Sequence, residues 1–151
     1  MKQINAQRQK EDMKMKNFVF HLKDEEGKEK EIAMRLISSD CEKIEKAYNC
    51  TLLDYVQQGS VTSIVTLLQH MRAGTGENFT RNMAYSFYDE LVDNGYTIER
   101  ILMEVIYETL VVSGVISKED LEAIKADKEK IKNMTDEEKM EMAAKRKNAQ
   151  K

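Results

Sequence analysis

The stretch TIERILMEVIYETLVVSG, residues 97–114, constrains the fold more than any other part of the chain. Thr97 has the chemistry of an N-cap and Gly114 that of a C′ stop, so the stretch reads as one helix of about four turns. At about 3.6 residues per turn, Ile98, Leu102, Val105, Thr109 and Val112 fall on one face, flanked by Ile101 and Ile106. A second apolar group, Met103, Tyr107, Leu110 and Val111, lies away from that face. Glu99, Arg100, Glu104 and Glu108 are the only charges. A helix apolar on most sides is normally covered on most sides. The stretch is therefore expected to be a central helix wrapped by its neighbours, or one whose second face waits for a partner.

A chain of 151 residues with 41% hydrophobic and 34% charged residues can build one core, with much of its charge outside it. The absence of proline and the presence of only 6 glycines permit long helices and disfavour elaborate loops. A net charge of −3 argues against a dedicated binder of nucleic acid or anionic membrane. The N-terminus is polar throughout and lacks the apolar run of a secretory signal. No apolar run approaches the roughly 18 residues of a membrane span, so a cytoplasmic location is expected, with Cys41 and Cys50 as reduced thiols.

Residues 1–16 have no hydrophobic period and read as a disordered arm. Residues 17–22 alternate, with Phe18, Phe20 and Leu22 on one side. After the turn KDEEGK, residues 29–36 return with Ile32, Met34 and Leu36 on one face, which completes a β-hairpin. A lone hairpin is marginal in water and must lie on helices or pair with another chain.

Ser39 and Glu42 have capping-box spacing for a helix over 40–48 that buries Cys41, Ile44 and Ala47 or Tyr48. Leu52, Leu53 and Val56 mark a short helix before Gly59. Ser60 caps a helix over 61–72 with Val61, Ile64, Val65 and Leu68 inside. AGTGEN is a flexible loop. Thr80 caps a helix over 81–93 carrying Met83, Phe87 and Leu91, and Asn94–Gly95 closes it a few residues before the central helix. Such a short link gives antiparallel neighbours or a helix-turn-helix corner. Beyond Gly114, Ser117 with Asp120 and Thr135 with Glu138 again have cap spacing, but apolar residues thin out and charges alternate in sign. The expected architecture is mainly α: a compact bundle of about five helices with an N-terminal β-hairpin and a charged C-terminal helical extension. Its parts are the arm (1–16), the hairpin plus helical core (17–116) and a charged helical or flexible tail (117–151).

Groups suited to catalysis are few. His21 and His70 have no nucleophile pattern near them, and Cys41 and Cys50 form neither a CxxC motif nor half of a zinc set. Gly74–Thr75–Gly76 lacks the Lys-Ser/Thr of a phosphate loop, and loop flexibility explains it better. Asp89, Glu90 and Asp93, like the pair Glu104 and Glu108, read as the wet sides of helices. A helix-turn-helix over 81–114 would present phosphates with three glutamates and one arginine, which disfavours DNA reading. No catalytic residue, cofactor or metal is expected.

Tyr107, Val111 and Met103 admit two readings. Apolar residues at helical spacing are usually core. Aromatics and methionine are also enriched at interfaces, so Met103, Tyr107, Leu110 and Val111, with Tyr88, are candidate residues of a groove for another chain's helix.

The order of the pieces, a hairpin ending in MRLISSDCEKIEKA, then LLDYV, then SVTSIVTLLQHM, then YDELVDNGYTIERILMEVIYETLVVSG, resembles the tail assembly chaperones of long-tailed phages and prophages of Gram-positive bacteria. The resemblance lies in the opening at residues 35–46 and the ending at residues 88–114, and spans roughly residues 17–116. It implies a small, mainly helical, non-enzymatic protein that binds the tape measure protein and keeps that long helical chain soluble while the tail tube assembles. It also implies tail tube protein as a partner of a longer, frameshifted form. Self-association through the hairpin edge is a further expectation, as is the absence of nucleic-acid and membrane partners. The alternatives are a structural virion or head–tail component and, third, a small DNA-binding regulator.

Overall fold

A computed structural model of the protein describes residues 17–149, and their side chains as far as residue 145. The N-terminal arm expected at 1–16 lies outside the described residues. The chain divides into two units, with the boundary between Ile116 and Ser117.

The first unit opens with β1 (Phe18–Lys23) and β2 (Glu29–Met34), an antiparallel pair in which Phe18 faces Met34 and Phe20 faces Ile32. Leu22, Ile32 and Met34 are buried, as the alternation requires. Five helices follow: α1 (Ser38–Tyr48), α2 (Leu52–Gln57), α3 (Val61–Ala73), α4 (Arg81–Asp93) and α5. The last is continuous through three stretches, Ile98–Arg100, Ile101–Ile106 and Tyr107–Val112. The fold is thus mainly α with an N-terminal hairpin.

Local capping chemistry sets most helix ends. The side chains of Ser60, Thr80 and Thr97 accept from the N–H groups of Ser63, Met83 and Arg100. At the end of α5, Gly114 N–H donates to Val111 O and Val115 N–H to Leu110 O, which closes the helix through a left-handed Gly114 (φ 81°). Helix α1 departs from expectation. It starts at Ser38 with Ile37 at the cap position and no side-chain cap, so Ser39 and Glu42 form no capping box.

The central helix is α3, not α5. Ser63, Ile64, Val65, Thr66, Leu67 and Leu68 are all buried in succession, followed by Met71. It packs on α2, β2, α4 and the middle stretch of α5. Its hydroxyls survive burial because the helix itself satisfies them: Thr66 Oγ1 donates to Thr62 O at 2.9 Å and Ser63 Oγ to Ser60 O at 3.0 Å. The first residues of these helices often lie outside the packed length. Val61, expected inside, is exposed, as are Leu53 and Met83, and Tyr55 and Ala84 take core positions. On α1 only Ile44 and the acidic Asp40 are buried, while Ala47 and Tyr48 are exposed.

Helix α5 is not regular. Over Ile101–Ile106 it is a π-helix, and Tyr107 N–H donates to Leu102 O, five residues back. A backbone closed this way turns by roughly 80° per residue instead of about 100°, so six residues set the following turn back by roughly 120°. Tyr107 and Leu110 thereby swing round to join Ile101, Leu102, Val105 and Ile106 in the core, and Val112 moves to half-buried. Two residues of the second expected apolar face thus join the first, while Met103 and Val111 stay half-buried. The whole first turn, Ile98 included, is exposed.

The β2 exit is tied down by backbone contacts. Arg35 N–H donates to Met71 O at 2.8 Å, and Leu36 N–H donates to Ser113 Oγ at 2.9 Å. A Cβ at Gly74 would stand 1.9 Å from Arg35 O, so close backbone approach, rather than loop flexibility, explains this glycine. Asn94 completes the far end of the hairpin: its amide accepts from Lys23 N–H at 2.8 Å and donates to Lys23 O at 3.1 Å.

The second unit holds α6 (Lys118–Lys132), capped by a reciprocal Ser117–Asp120 box, and α7 (Asp136–Ala149), whose Met140 is 75% exposed. Leu121 is its buried apolar residue among those described.

Candidate functional site

The five residues singled out for partner binding do not form an open face. Tyr107 and Leu110 are sealed in the core by the change of helical phase, and Met103 and Val111 are half-buried on α5. Tyr88 is half-buried on α4. Burial also pushes the Tyr107 phenol up from its ordinary range. Tyr107 and Leu110 are therefore not open to a partner in this structure.

An open concavity lies between the hairpin and α4. The four phenylalanines of the chain form one run of ring contacts beside it, and two of them, Phe79 and Phe87, line it. Phe18 stacks on Phe20 at 5.5 Å between centroids, Phe20 tilts against Phe87 at 6.5 Å, and Phe79 meets Phe87 edge-on at 6.2 Å. Arg72, from the end of α3, lies over both Phe79 and Phe87, at 5.3 and 5.7 Å. Its two terminal nitrogens donate to Ala33 O and to Glu77, each at 2.9 Å, which fixes the guanidinium against β2 and the α3–α4 loop. Nε is buried with no hydrogen-bond partner among the described residues, and the two rings beside the guanidinium supply its electrostatic company.

Arg72, Phe79 and Phe87 line a cavity of about 370 Å³, with Ile32 and Met83 adding to its apolar lining and Lys30 and Glu90 forming its rim. The rim pair is an ion pair at 2.5 Å. Met83 is 44% exposed, so the floor reaches solvent. A second concavity of about 690 Å³ continues along α4 toward the hairpin turn and shares Ser86 and Glu90 with the first. Its walls carry Asp24, Glu25, Asp89, Glu90 and Asp93 against Lys23 alone. Asp24 is occupied by the turn, accepting from Glu26 and Lys28 N–H groups, and Glu90 by Lys30. Glu25, Asp89 and Asp93 are exposed. The result is one trough along α4, aromatic and apolar at one end and acidic at the other.

His70 Nδ1 meets the buried Asp40 Oδ1 at 2.9 Å, which joins the end of α3 to the start of α1, while His21 is exposed on β1. Burial, then the charges of Glu45 and Asp40, push the Cys41 thiol up, the direction that suppresses thiolate chemistry. Among the described residues, no group of three His, Cys, Asp or Glu side chains is placed to hold a metal ion. No helix among them is long and apolar enough to cross a membrane. Compared with known proteins, the chain matches no family model, no curated protein and no solved structure.

The trough leaves no contiguous mark in the sequence because its residues come from four separate segments. A partial signal was present: Phe18 and Phe20 share a strand face, and Phe87 stands on the inward side of α4 next to an exposed Met83.

Proposed function

We propose that this protein is a phage or prophage tail assembly chaperone, a non-enzymatic binder that holds the tape measure protein soluble in the bacterial cytoplasm while the tail tube assembles. One observation carries the proposal beyond the sequence resemblance. The strings at residues 35–46 and 88–114 belong to the same unit as an exposed aromatic trough, which has the form of a holdase's client surface. The client surface moves from Tyr107 and Leu110 to the trough lined by Ile32, Phe79, Met83 and Phe87. Tail tube protein and a second copy of the chain remain proposed partners. For self-association, Asn94 already occupies the outward backbone groups of Lys23, so pairing through β1 would be restricted to the part of the strand before it.

Co-expression with the tape measure protein of the same tail operon tests this. The client should shift from the pellet to the soluble fraction and co-purify with the full chain, and mass spectrometry of finished virions should find the chain absent. A client that stays insoluble defeats the proposal, and a chain retained in the particle points to a structural component.

A further inference from the structure

We infer that the trough takes a short amphipathic helix of another protein that is apolar toward one end and carries a cluster of Lys or Arg toward the other. The inference rests on the chaperone reading and names the kind of client segment that such a surface would select. Three features of the site argue for it. First, the trough has a direction. Near Met83 its open surface is apolar and backed by Phe79 and Phe87, and near Asp93 it is anionic. Second, the apolar end needs no cation from a ligand, because Arg72 and Lys30 are already present and paired, whereas Glu25, Asp89 and Asp93 at the other end have carboxylates open to solvent. A basic residue arriving there gains attraction from several carboxylates at once, and an acidic one is repelled. Third, the length fits. From Asn82 to Asp93 the face of α4 runs about 16 Å, room for roughly three turns of a helix lying alongside it. An apolar segment alone would leave the acidic half unmatched, and a purely basic one would leave the aromatic floor unfilled.

The test uses the full chain and two labelled helical peptides of about 18 residues. Both have the same leucine stripe in the first half; one has Lys and Arg in its second half and the other Glu at the same positions. Fluorescence anisotropy should show the basic peptide binding at least about tenfold more tightly, with the margin shrinking as salt is raised. Met83→Ser should weaken the basic peptide. The double variant Asp89→Lys with Asp93→Lys, both on exposed positions, should reverse the preference between the peptides. NMR shift changes should centre on α4 and β2. Equal binding of both peptides, or a preference untouched by the double reversal, overturns the inference. So does binding that appears only after residues 1–16 are removed, which would make the chain's own N-terminal residues the occupant. If the double variant still solubilises the tape measure protein as well as the parent, this inference fails and the chaperone reading stands. If the peptide preference holds but no tape measure protein is solubilised, the chaperone reading fails.

Discussion

Helix α3 loses solvent on every side through its middle, whereas α5 keeps Glu99, Arg100 and Glu104 in water, and the two helices reach burial by opposite routes. In α3 the backbone is regular and the sequence adapts: its polar positions are hydroxyls small enough to bond the helix's own carbonyls. In α5 the sequence carries charges that must stay wet, so the backbone adapts. The π stretch at Ile101–Ile106 gathers apolar residues from two nominal faces into one. Thr109 shows that α5 uses the other device as well, with its Oγ1 donating to Val105 O at 2.7 Å. The contrast implies that α3 should be intolerant of any change in volume or phase, while α5 should absorb a change of phase at one place.

The largest effect should come from the middle of α3. Leu67→Ala removes a fully buried side chain with neighbours on all sides and should cost about 4 kcal/mol, read by urea denaturation. A loss below about 1 kcal/mol would mean that the surroundings collapse into the space, which a helix packed all round does not allow. At the end of the same helix, Gly74→Ala sets a methyl group against the backbone oxygen of Arg35. It should cost about 3 kcal/mol, because neither the strand exit nor the helix end can retreat without breaking the Arg35–Met71 hydrogen bond. If Gly74→Ala proved harmless, the junction between α3 and β2 would have to be looser than the one described.

Local chemistry was legible in the sequence, and long-range geometry was not. Ser60, Thr80, Thr97, Ser117 and Gly114 set helix ends through atoms within a few residues, and the hairpin is written in a two-residue alternation. The central role of α3 was hidden because Ser63 and Thr66 look polar until their partners, one turn back, are known. The phase of α5 was hidden because an apolar stripe at a period of about 3.6 describes a regular helix and carries no mark of a π turn. That single assumption moved Tyr107 and Leu110 from core to candidate groove. The trough was harder still. Arg72 reads as a surface cation in sequence, yet it organises Phe79 and Phe87 from the far end of a different helix.

A smaller effect should sharpen the claim about phase. Deleting Glu104, an exposed residue of the π stretch, lets α5 run as a regular helix with Ile106, Tyr107, Thr109 and Leu110 still facing inward. The deletion should cost about 2 kcal/mol and leave a cooperative thermal transition, while deletion of Thr66 from α3 should abolish folding. If both deletions are equally severe, the π stretch is not the place where register is stored.

The smallest effect concerns Tyr55, which stacks on Tyr48 at 4.4 Å and lies near Thr66 of α3. Tyr48 and Arg81 reach the Thr66 hydroxyl, at 3.4 and 2.6 Å, but the buried Tyr55 hydroxyl completes no hydrogen bond among the described residues. Burial pushes its phenol from the ordinary 10 up to about 12. Below pH 10 the phenol is neutral in both the folded and the unfolded chain, and its contribution is fully present. As pH rises past 10 the unfolded chain ionises first, so stability falls until the folded phenol ionises near 12. Tyr55→Phe removes both the unpaired hydroxyl and this titration. It should raise stability at pH 7 by up to about 1 kcal/mol and flatten the alkaline loss, leaving the part that belongs to the buried Tyr107 of α5. Chemical denaturation at pH 7 and at intervals from 9 to 11.5 (roughly the span of tyrosine ionisation) measures both. A destabilised Tyr55→Phe variant with an unchanged alkaline limb would show that the hydroxyl has a partner after all, and that the polar contacts of α3 around Thr66 extend to Tyr55.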